Sequence, residues 1–232
     1  MNNKYNLTPG NYDQAITIQN SLRKKVCLQT RCKLEYPFCA AGCDSTIIKE
    51  MNLIISGIIV FKFESENEYE IVEKEFIQDV IKFPYIPGLL SFREIPSLLK
   101  GFKRIKTKIT LIYADSQGYA HPRRLGLASH LGVILDIPVI GVAKSRFIGD
   151  YKEPGMKKGS YSKLTDGDEQ IGIVYRNKSG VKSVFISPGN LIGMDDLVNF
   201  IQPVSGKFRI PVPTRIAHIE TGVYRKEILN GK

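Results

Sequence analysis

The stretch "ITLIYADSQGYAHPRRLGLASHLGVILDIPVIGVAK", residues 109–144, decides the fold class because two apolar runs flank a helical pattern. The runs at 109–115 and 137–144 lack the alternation of a half-exposed strand, so they predict strands that are buried on both faces. Between them, residues 123–135 place apolar and small side chains on one face of a predicted helix. Two strands joined by such a helix lie parallel in one sheet. The stretch therefore predicts an α/β fold.

The remaining patterns extend this unit to a central mixed β-sheet flanked by α-helices. Runs rich in Ile and Val, or with alternating polarity, predict further strands at 39–47, 51–63, 68–76, 170–176 and 182–187. Helical patterns predict further helices at 11–29, 92–105, 194–201 and 213–228. The polar stretch 150–168 is rich in Gly and Lys, which predicts a long surface loop.

Length and composition set limits on domain organisation and location. The chain has 232 residues, 43% hydrophobic and 24% charged, which predicts one globular domain that spans residues 1–232. The start, "MNNKYNLTPGNYDQ", lacks the pattern of a signal peptide, and no apolar run approaches the roughly 20 residues that span a bilayer. We therefore expect a cytoplasmic protein that does not enter a membrane.

The charge balance is strongly basic. Lys and Arg outnumber Asp and Glu by 33 to 23, which gives a net charge of +10 and a pI near 9.4. This sign is expected of a protein whose partner carries phosphates. The basic residues fall in small groups along the chain, so a set of solvated surface faces is the alternative interpretation.

Four cysteines lie within one short segment, at Cys27, Cys32, Cys39 and Cys43. Their spacing lacks the close C-x-x-C pairs of structural zinc sites. We therefore predict reduced, structural cysteines, with a disulfide as the alternative.

Charged side chains follow the predicted parallel strands at their ends. Asp115 and Lys144 each close a strand, and Asp44 lies on another. Ligands of open α/β sheets bind outside the carboxyl ends of the strands, so this edge is the predicted site. Converging carboxylates repel one another unless a cation lies between them, which makes a metal site one hypothesis. The other is that Asp115 caps the turn or helix that follows it.

Several longer blocks resemble the signature blocks of a single protein family, and they occur in the family's order. The blocks are "PYIPGLLSFRE" (84–94), "ADSQGYAHPRRLGLASHLGV" (114–133), "IPVIGVAKS" (137–145), "SPGN" (187–190) and "PTRIAH" (213–218). The first two are long enough to be highly specific. On these residues nearly the whole chain resembles the endonuclease V family, and the resemblance implies a ribonuclease H-like fold.

The resemblance implies a set of catalytic residues. Asp44, Glu94 and Asp115 match the family's catalytic carboxylates, which would hold Mg²⁺ or Mn²⁺. Lys144 matches the lysine near the scissile phosphate. His218 matches a position near the second metal or the attacking water, and the alternative for His218 is a helix histidine bonded to nearby backbone.

The implied reaction is metal-assisted hydrolysis of the second phosphodiester bond 3′ of inosine or deoxyinosine, which leaves a 3′-hydroxyl and a 5′-phosphate. The partner is then inosine-containing DNA or RNA, and no obligatory protein partner is expected, so a monomer is predicted. One alternative is another ribonuclease H-like nuclease that acts on mismatches or flaps. A non-catalytic inosine-binding protein is a further alternative, but loss of a carboxylate would be expected there, and Asp44, Glu94 and Asp115 are all present.

The target base must leave its stack to be recognised. In this interpretation Tyr85 fills the vacated stack, whereas the alternative places Tyr85 in the core. Gly88, Leu90 and Gly126 match a pocket that the family builds largely from main chain, and the following basic loop meets the phosphates. The substrate-binding residues implied by the resemblance are Tyr85, Pro87, Gly88, Leu90, Gly118, His121, Arg123 and Gly126.

The chain departs from the family pattern at two positions. Ser116 stands where the family usually has Gly, and Asn190 stands where the family has His. Ser116 adds a side chain where backbone approaches substrate, which puts the fit of the pocket in question. For Asn190 we expect a change in the support around the site rather than in the metal ligands.

Overall fold

The two apolar runs around the helical pattern form adjacent parallel strands, as predicted. Our computed structural model describes residues 5–66 and 68–231, and within these residues nine strands form one sheet. The strands are β1 (Phe38–Ile48), β2 (Leu53–Ser65), β3 (Glu68–Val80), β4 (Leu111–Ala114), β5 (Val139–Ala143), β6 (Asp150–Tyr151), β7 (Tyr161–Asp166), β8 (Glu169–Tyr175) and β9 (Val184–Asn190). The helices are α1 (Tyr12–Leu22), α2 (Leu90–Phe102), α3 (Leu127–Leu135), α4 (Leu197–Ile201) and α5 (Val212–Leu229).

The sheet is mixed, and its order is β3-β2-β1-β4-β5-β9-β8-β7-β6. Strands β1, β4 and β5 are parallel to their neighbours within that group, and the other pairings are antiparallel. The α/β class with a ribonuclease H-like central sheet is thereby confirmed. The carboxyl ends of the three parallel strands meet at one edge of the sheet.

Helices cover both faces of the central strands. Helices α2 and α3 place Ile95, Leu98 and Leu131 in a buried cluster with residues of β1, β2 and β4. Helix α5 packs on the opposite face, with Ala217 in the larger core cluster. The approach is close, because a Cβ added at Gly42 on β1 would lie 2.1 Å from the Pro213 carbonyl oxygen. This contact fixes the first turn of α5 over β1.

Several predicted boundaries were wrong. The predicted helix over 11–29 ends at Leu22, since the chain then turns so that the Cys27 N–H can donate to Asn190 Oδ1 at 2.9 Å. The helix predicted from 123 begins at Leu127, because Arg124 has a left-handed φ of 54°. The predicted loop over 150–168 contains all of β6 and β7, two largely exposed strands at the edge of the sheet.

The cysteines follow the prediction of reduced thiols. All four are free, and Cys43 is buried within β1. Within the described residues, no helix combines the length and the apolar character needed to cross a membrane.

Candidate active site

Four of the predicted catalytic side chains meet at the carboxyl edge of the sheet, and the fifth, Glu94, projects from α2 into the same cavity. Asp44 lies on β1, Asp115 follows β4, Lys144 follows β5 and His218 lies on α5. We call this cavity the carboxylate pocket. Its lining residues are Asp44, Ser45, Thr46, Glu94, Asp115, Lys144, His218, Gly222, Arg225 and Lys226.

The closest set of possible metal ligands differs from the predicted trio. Asp44, Asp115 and His218 each offer a ligand atom, and these atoms all lie within 4.8 Å of one another. Among the described residues, Glu94 does not join that closest set, although it lines the same pocket. The predicted ligands Asp44 and Asp115 are in this closest set together with His218, and Glu94 lines the same pocket.

Two basic side chains contact the carboxylates directly. Lys144 Nζ donates to Asp115 Oδ2 at 2.5 Å, and His218 Nδ1 lies 2.9 Å from Asp44 Oδ2. The partner of His218 is thus a carboxylate, not the nearby backbone of the alternative interpretation. Asp115 likewise pairs with Lys144, whereas the alternative had it cap the turn or helix that follows.

Like charges lie close together in the carboxylate pocket and shift the pKa values of its carboxyl groups. Burial first, and then the charges of Asp44 and Asp115, raise the pKa of Glu94 to about 8. Burial and the neighbouring Asp115 also raise the pKa of Asp44, although its hydrogen bond to His218 acts in the opposite direction. Carboxylates held this close are stable in their charged forms when a cation lies between them.

The donor set fits a divalent cation. Carboxylate oxygens and one imidazole converge at the spacing given above, and hard divalent ions prefer such oxygen ligands. Burial is the main cause of the raised pKa of Glu94, and a bound cation would offset the second cause, the charges of Asp44 and Asp115.

A second cavity, which we call the loop cleft, shares Asp115 and Lys144 with the carboxylate pocket. Its volume is about 350 Å³, and it is formed by the loops around residues 85–91, 115–127 and 143–147. The predicted substrate-binding residues that line it are Tyr85, Pro87, Gly88, Leu90, His121 and Gly126.

The backbone at Gly88 is held in place by hydrogen bonds from three side chains. Its φ of 79° lies in the left-handed region that favours glycine. Its carbonyl oxygen lies within hydrogen-bond distance of Gln19 Nε2 at 2.9 Å, His121 Nε2 at 3.1 Å and an Arg123 guanidinium nitrogen at 2.9 Å. Arg123 thus supports the cleft through this carbonyl.

Gln19 was not predicted as a site residue. It is fully buried on α1, on the face that also buries Ala15 and Leu22. Polar side chains that are buried need hydrogen-bond partners, so a glutamine on the apolar face of a helix was the available signal.

His121 is a buried, neutral part of this arrangement. Burial and the nearby Arg123 lower the pKa of His121 to about 4. The Arg123 backbone N–H donates to its Nδ1 at 3.2 Å, so Nε2 carries the hydrogen that is donated to Gly88. His121 therefore supports the cleft through a hydrogen bond of its neutral ring to the Gly88 carbonyl.

Gly118 lies behind the cleft rather than in its lining. Its N–H donates to Ser187 Oγ at 2.9 Å, and a Cβ added to it would lie 2.2 Å from the Pro188 carbonyl oxygen. A Cβ added at Gly141 on β5 would in turn lie 2.5 Å from the Gly118 nitrogen. Backbone thus packs directly on backbone beneath the loop that follows Asp115.

Tyr85 projects from the rim of the loop cleft, with 66% of its surface exposed. The alternative that places this ring in the core is therefore wrong. The ring is free to meet a bound molecule.

The two departures from the family pattern lie in different places. Ser116 lines the loop cleft, and its hydroxyl finds no hydrogen-bond partner among the described residues. Asn190 lies away from the carboxylates, where its side chain accepts from the Cys27 N–H and donates to the Gly132 carbonyl at 3.1 Å. The expectation that Asn190 supports the surroundings agrees with these contacts.

The chain is similar to known proteins over most of its length. The Endonuclease V family model matches residues 20–219. Endonuclease V of Dictyoglomus turgidum is 40% identical over 222 residues, which cover 95% of this chain and 92% of the relative. These matches, with the fold and the carboxylates, define a nuclease, a hydrolase that acts on nucleic acids. The chain belongs to the endonuclease V family.

Solved structures show the same architecture. The crystal structure of endonuclease V from Streptomyces avermitilis has a TM-score of 0.89 at 34% identity and covers 96% of both chains. Ciona intestinalis endonuclease V, in complex with a 24mer DNA containing an inosine followed by a ribo-adenosine, has a TM-score of 0.80 at 24% identity. That alignment covers 93% of this chain and 98% of the Ciona chain. At that identity the second likeness concerns the fold.

Proposed function

We propose that this chain binds an extruded inosine or deoxyinosine in the loop cleft and hydrolyses the second phosphodiester bond on its 3′ side, which leaves a 3′-hydroxyl and a 5′-phosphate. The observation that carries the proposal is that the loop cleft and the carboxylate pocket share Asp115 and Lys144. A nucleotide whose base enters the cleft therefore brings the neighbouring backbone to the carboxylates.

The residues have distinct roles in this proposal. Asp44 and Asp115 would hold Mg²⁺, or Mn²⁺ in its place, together with His218 and with Glu94 at the margin. When bound, such an ion activates water and stabilises charge on the phosphate oxygens. Lys144 is exposed enough to turn from Asp115 to the phosphate of the substrate. Its positive charge offsets charge that develops during hydrolysis.

The loop cleft suits a base that is read mainly by shape and main chain. Hypoxanthine lacks the 2-amino group of guanine, so a narrow pocket that Gly88 and Gly126 border excludes guanine by size. Adenine carries an amine where hypoxanthine has a carbonyl oxygen, so main-chain hydrogen bonds at that position distinguish the two. Tyr85 on the rim fills the gap that the extruded base leaves in the stack. The net charge of +10 supports a phosphate-rich partner.

The inosine complex of the Ciona relative supports a nucleic-acid substrate that contains inosine. Either inosine-containing RNA or deoxyinosine-containing DNA fits the proposal, the second as repair of deaminated adenine. A monomeric, cytoplasmic enzyme with one domain over residues 1–232 stays our prediction.

A substrate panel tests the proposal. Matched DNA and RNA oligonucleotides would carry inosine, adenine, a mismatch or a flap, and each would be incubated with Mg²⁺, with Mn²⁺ and with a chelator. We expect cleavage two bonds 3′ of inosine that depends on the added metal, with a 5′-phosphate on the downstream product. Preferred cutting of the mismatch or flap would favour another ribonuclease H-like nuclease, and inosine binding without cutting would favour a non-catalytic protein.

A further inference from the structure

The carboxylate pocket continues beyond the carboxylates along α5, in a part that we call the α5 groove. Thr46, Gly222, Arg225 and Lys226 line this part. Positions 218, 222, 225 and 226 share one face of a helix, so the α5 groove is the extension of the face that carries His218. Residues 218 and 226 are about 12 Å apart along the helix axis.

The order of these features across the sheet gives the groove its direction. The loop cleft lies beside the ends of β4 and β5, and Asp44 lies on β1. Arg225 is anchored farther along β1, where its Nε donates to the Ile47 carbonyl at 3.2 Å. The α5 groove therefore lies on the opposite side of the carboxylates from the loop cleft.

Both cations of the α5 groove are available to an anion. In the described part of the chain, neither Arg225 nor Lys226 forms an ion pair with a carboxylate. Lys226 lies in the last turn of α5, where a cation also favours the helix dipole. That effect does not account for Arg225, whose Nε bond to Ile47 leaves the other guanidinium nitrogens unpaired with any carboxylate in the described chain.

Gly222 is the independent observation. Glycine inside a helix lowers stability relative to alanine, and a buried neighbour usually explains it. Here a Cβ added at Gly222 would meet nothing within 4 Å. The glycine is thus not required by packing, and it leaves a gap in the α5 surface between His218 and the two cations.

We propose that Arg225 and Lys226 bind backbone phosphates of the strand that leaves the carboxylates on the 3′ side, and that Gly222 gives this strand room to pass. The inference rests on the proposed function, because that function sets the direction of the strand. The ligand is the phosphodiester backbone, read without regard to base.

Substrate length tests the inference. Inosine oligonucleotides would be shortened one nucleotide at a time, in one series from the 3′ end and in another from the 5′ end. We expect Lys226→Gln and Arg225→Lys to lower kcat/KM by about twofold to fivefold on long substrates. The loss should shrink as the 3′ segment shortens, and the salt dependence of duplex binding for Lys226→Gln should flatten by about 0.9 in log–log slope. Lys24→Gln, at an exposed lysine next to α1, is the matched control.

Gly222→Ala separates binding from folding. The change should raise the melting temperature by about 2 to 4 °C, because alanine favours the helix. It should nevertheless lower kcat/KM on substrates with a long 3′ segment. A loss that is equal at all lengths, a loss that follows the 5′ segment, or no loss in any of the variants would overturn the inference. If the wild-type enzyme cuts the shortest inosine substrate, the proposed function stands even when these variants show no dependence on length. Failure of the inference is therefore distinguishable from failure of the proposed function.

Discussion

The carboxylate pocket and the loop cleft share two residues but are built in opposite ways. In the carboxylate pocket, residues on regular elements bring like charges together, and burial with those charges raises the pKa of Glu94 to about 8. In the loop cleft, irregular segments are fixed by hydrogen bonds to one carbonyl, and burial beside Arg123 lowers the pKa of His121 to about 4.

This difference assigns hydrolysis to the carboxylate pocket and base recognition to the loop cleft. Burial favours the neutral forms of both Glu94 and His121. Only the carboxylate pocket also brings together like charges whose repulsion a bound cation would reduce. The cleft offers shape, a fixed backbone and the exposed rings of Tyr85 and Phe147. Changes in the pocket should therefore affect the rate of cutting, whereas changes in the cleft should affect which base is cut.

The largest expected effect comes from Asp115, which lines both cavities. Asp115→Asn keeps the size of the side chain but removes its charge, so we expect kcat to fall by about a thousandfold or more while inosine-dependent binding stays measurable. Binding and single-turnover cleavage measure the two properties. Asp136→Asn is the matched control, since Asp136 lies in another cavity with a left-handed φ of 54° that asparagine tolerates. Cleavage by Asp115→Asn at the wild-type rate would contradict the proposal that Asp115 binds the metal.

The next effect concerns the rim of the loop cleft. Tyr85→Ala should lower cleavage of duplex substrates about tenfold to a hundredfold, because aromatic stacking on a base contributes about 1 to 3 kcal/mol. The loss should be smaller on single strands, where less stacking is lost. Melting temperature should hardly change, since Tyr85 is 66% exposed, and Tyr161→Ala, at 56% exposure on β7, is the control. A destabilised Tyr85→Ala protein with equal losses on both substrates would contradict the proposal that Tyr85 fills the gap left by the extruded base.

A smaller effect is expected from the fixed carbonyl. Gly88→Ala should cost about 1 to 2 kcal/mol of backbone strain, and its Cβ would lie 2.8 Å from the Arg123 guanidinium. We expect kcat/KM for inosine substrates to fall about tenfold as the loop shifts. Gly180→Ala has a similar φ of 73° with nothing within 4 Å, so it should show the strain without the loss of cleavage. Equal cleavage by the two variants would show that the carbonyl does not position the cleft.

A further effect concerns stability against pH. Folded His121 stays neutral down to a pKa of about 4, whereas the unfolded imidazole titrates near 6.5. Its contribution is therefore complete above pH 6.5 and is lost as pH falls toward 4, by about 2 kcal/mol between pH 6.5 and 5. Denaturant unfolding of wild type and His121→Asn at pH 5, 6 and 7 measures the difference in slope. Parallel stability curves would mean that His121 is not held neutral.

The central strands and their terminal charges could be predicted from the sequence because burial on both faces leaves continuous apolar runs. The predicted Asp115 and Lys144 accordingly lie side by side at the ends of β4 and β5. The strands β6 and β7 could not be recognised, because an exposed edge hairpin buries little more than Leu164 and its sequence resembles a polar loop.

Contacts between distant parts of the chain set the other limit. Gln19 and Gly88 are 69 positions apart, and no local pattern pairs them. His218 was indicated only through the family resemblance, since its contact with Asp44 depends on how closely α5 packs on β1. The buried, neutral state of His121 likewise depends on neighbours from three segments.

The backbone contacts at Gly118 and Gly141 bear on how this site survives divergence. Asp115 is positioned by main-chain atoms that every amino acid possesses, and those two positions are closed to any larger residue. Side chains nearby are then free to drift, as Ser116 illustrates, without displacing the carboxylate. A site anchored in this way can keep its shape while side chains around it change. The overall fold has a TM-score of 0.89 to a relative that shares only 34% of its residues.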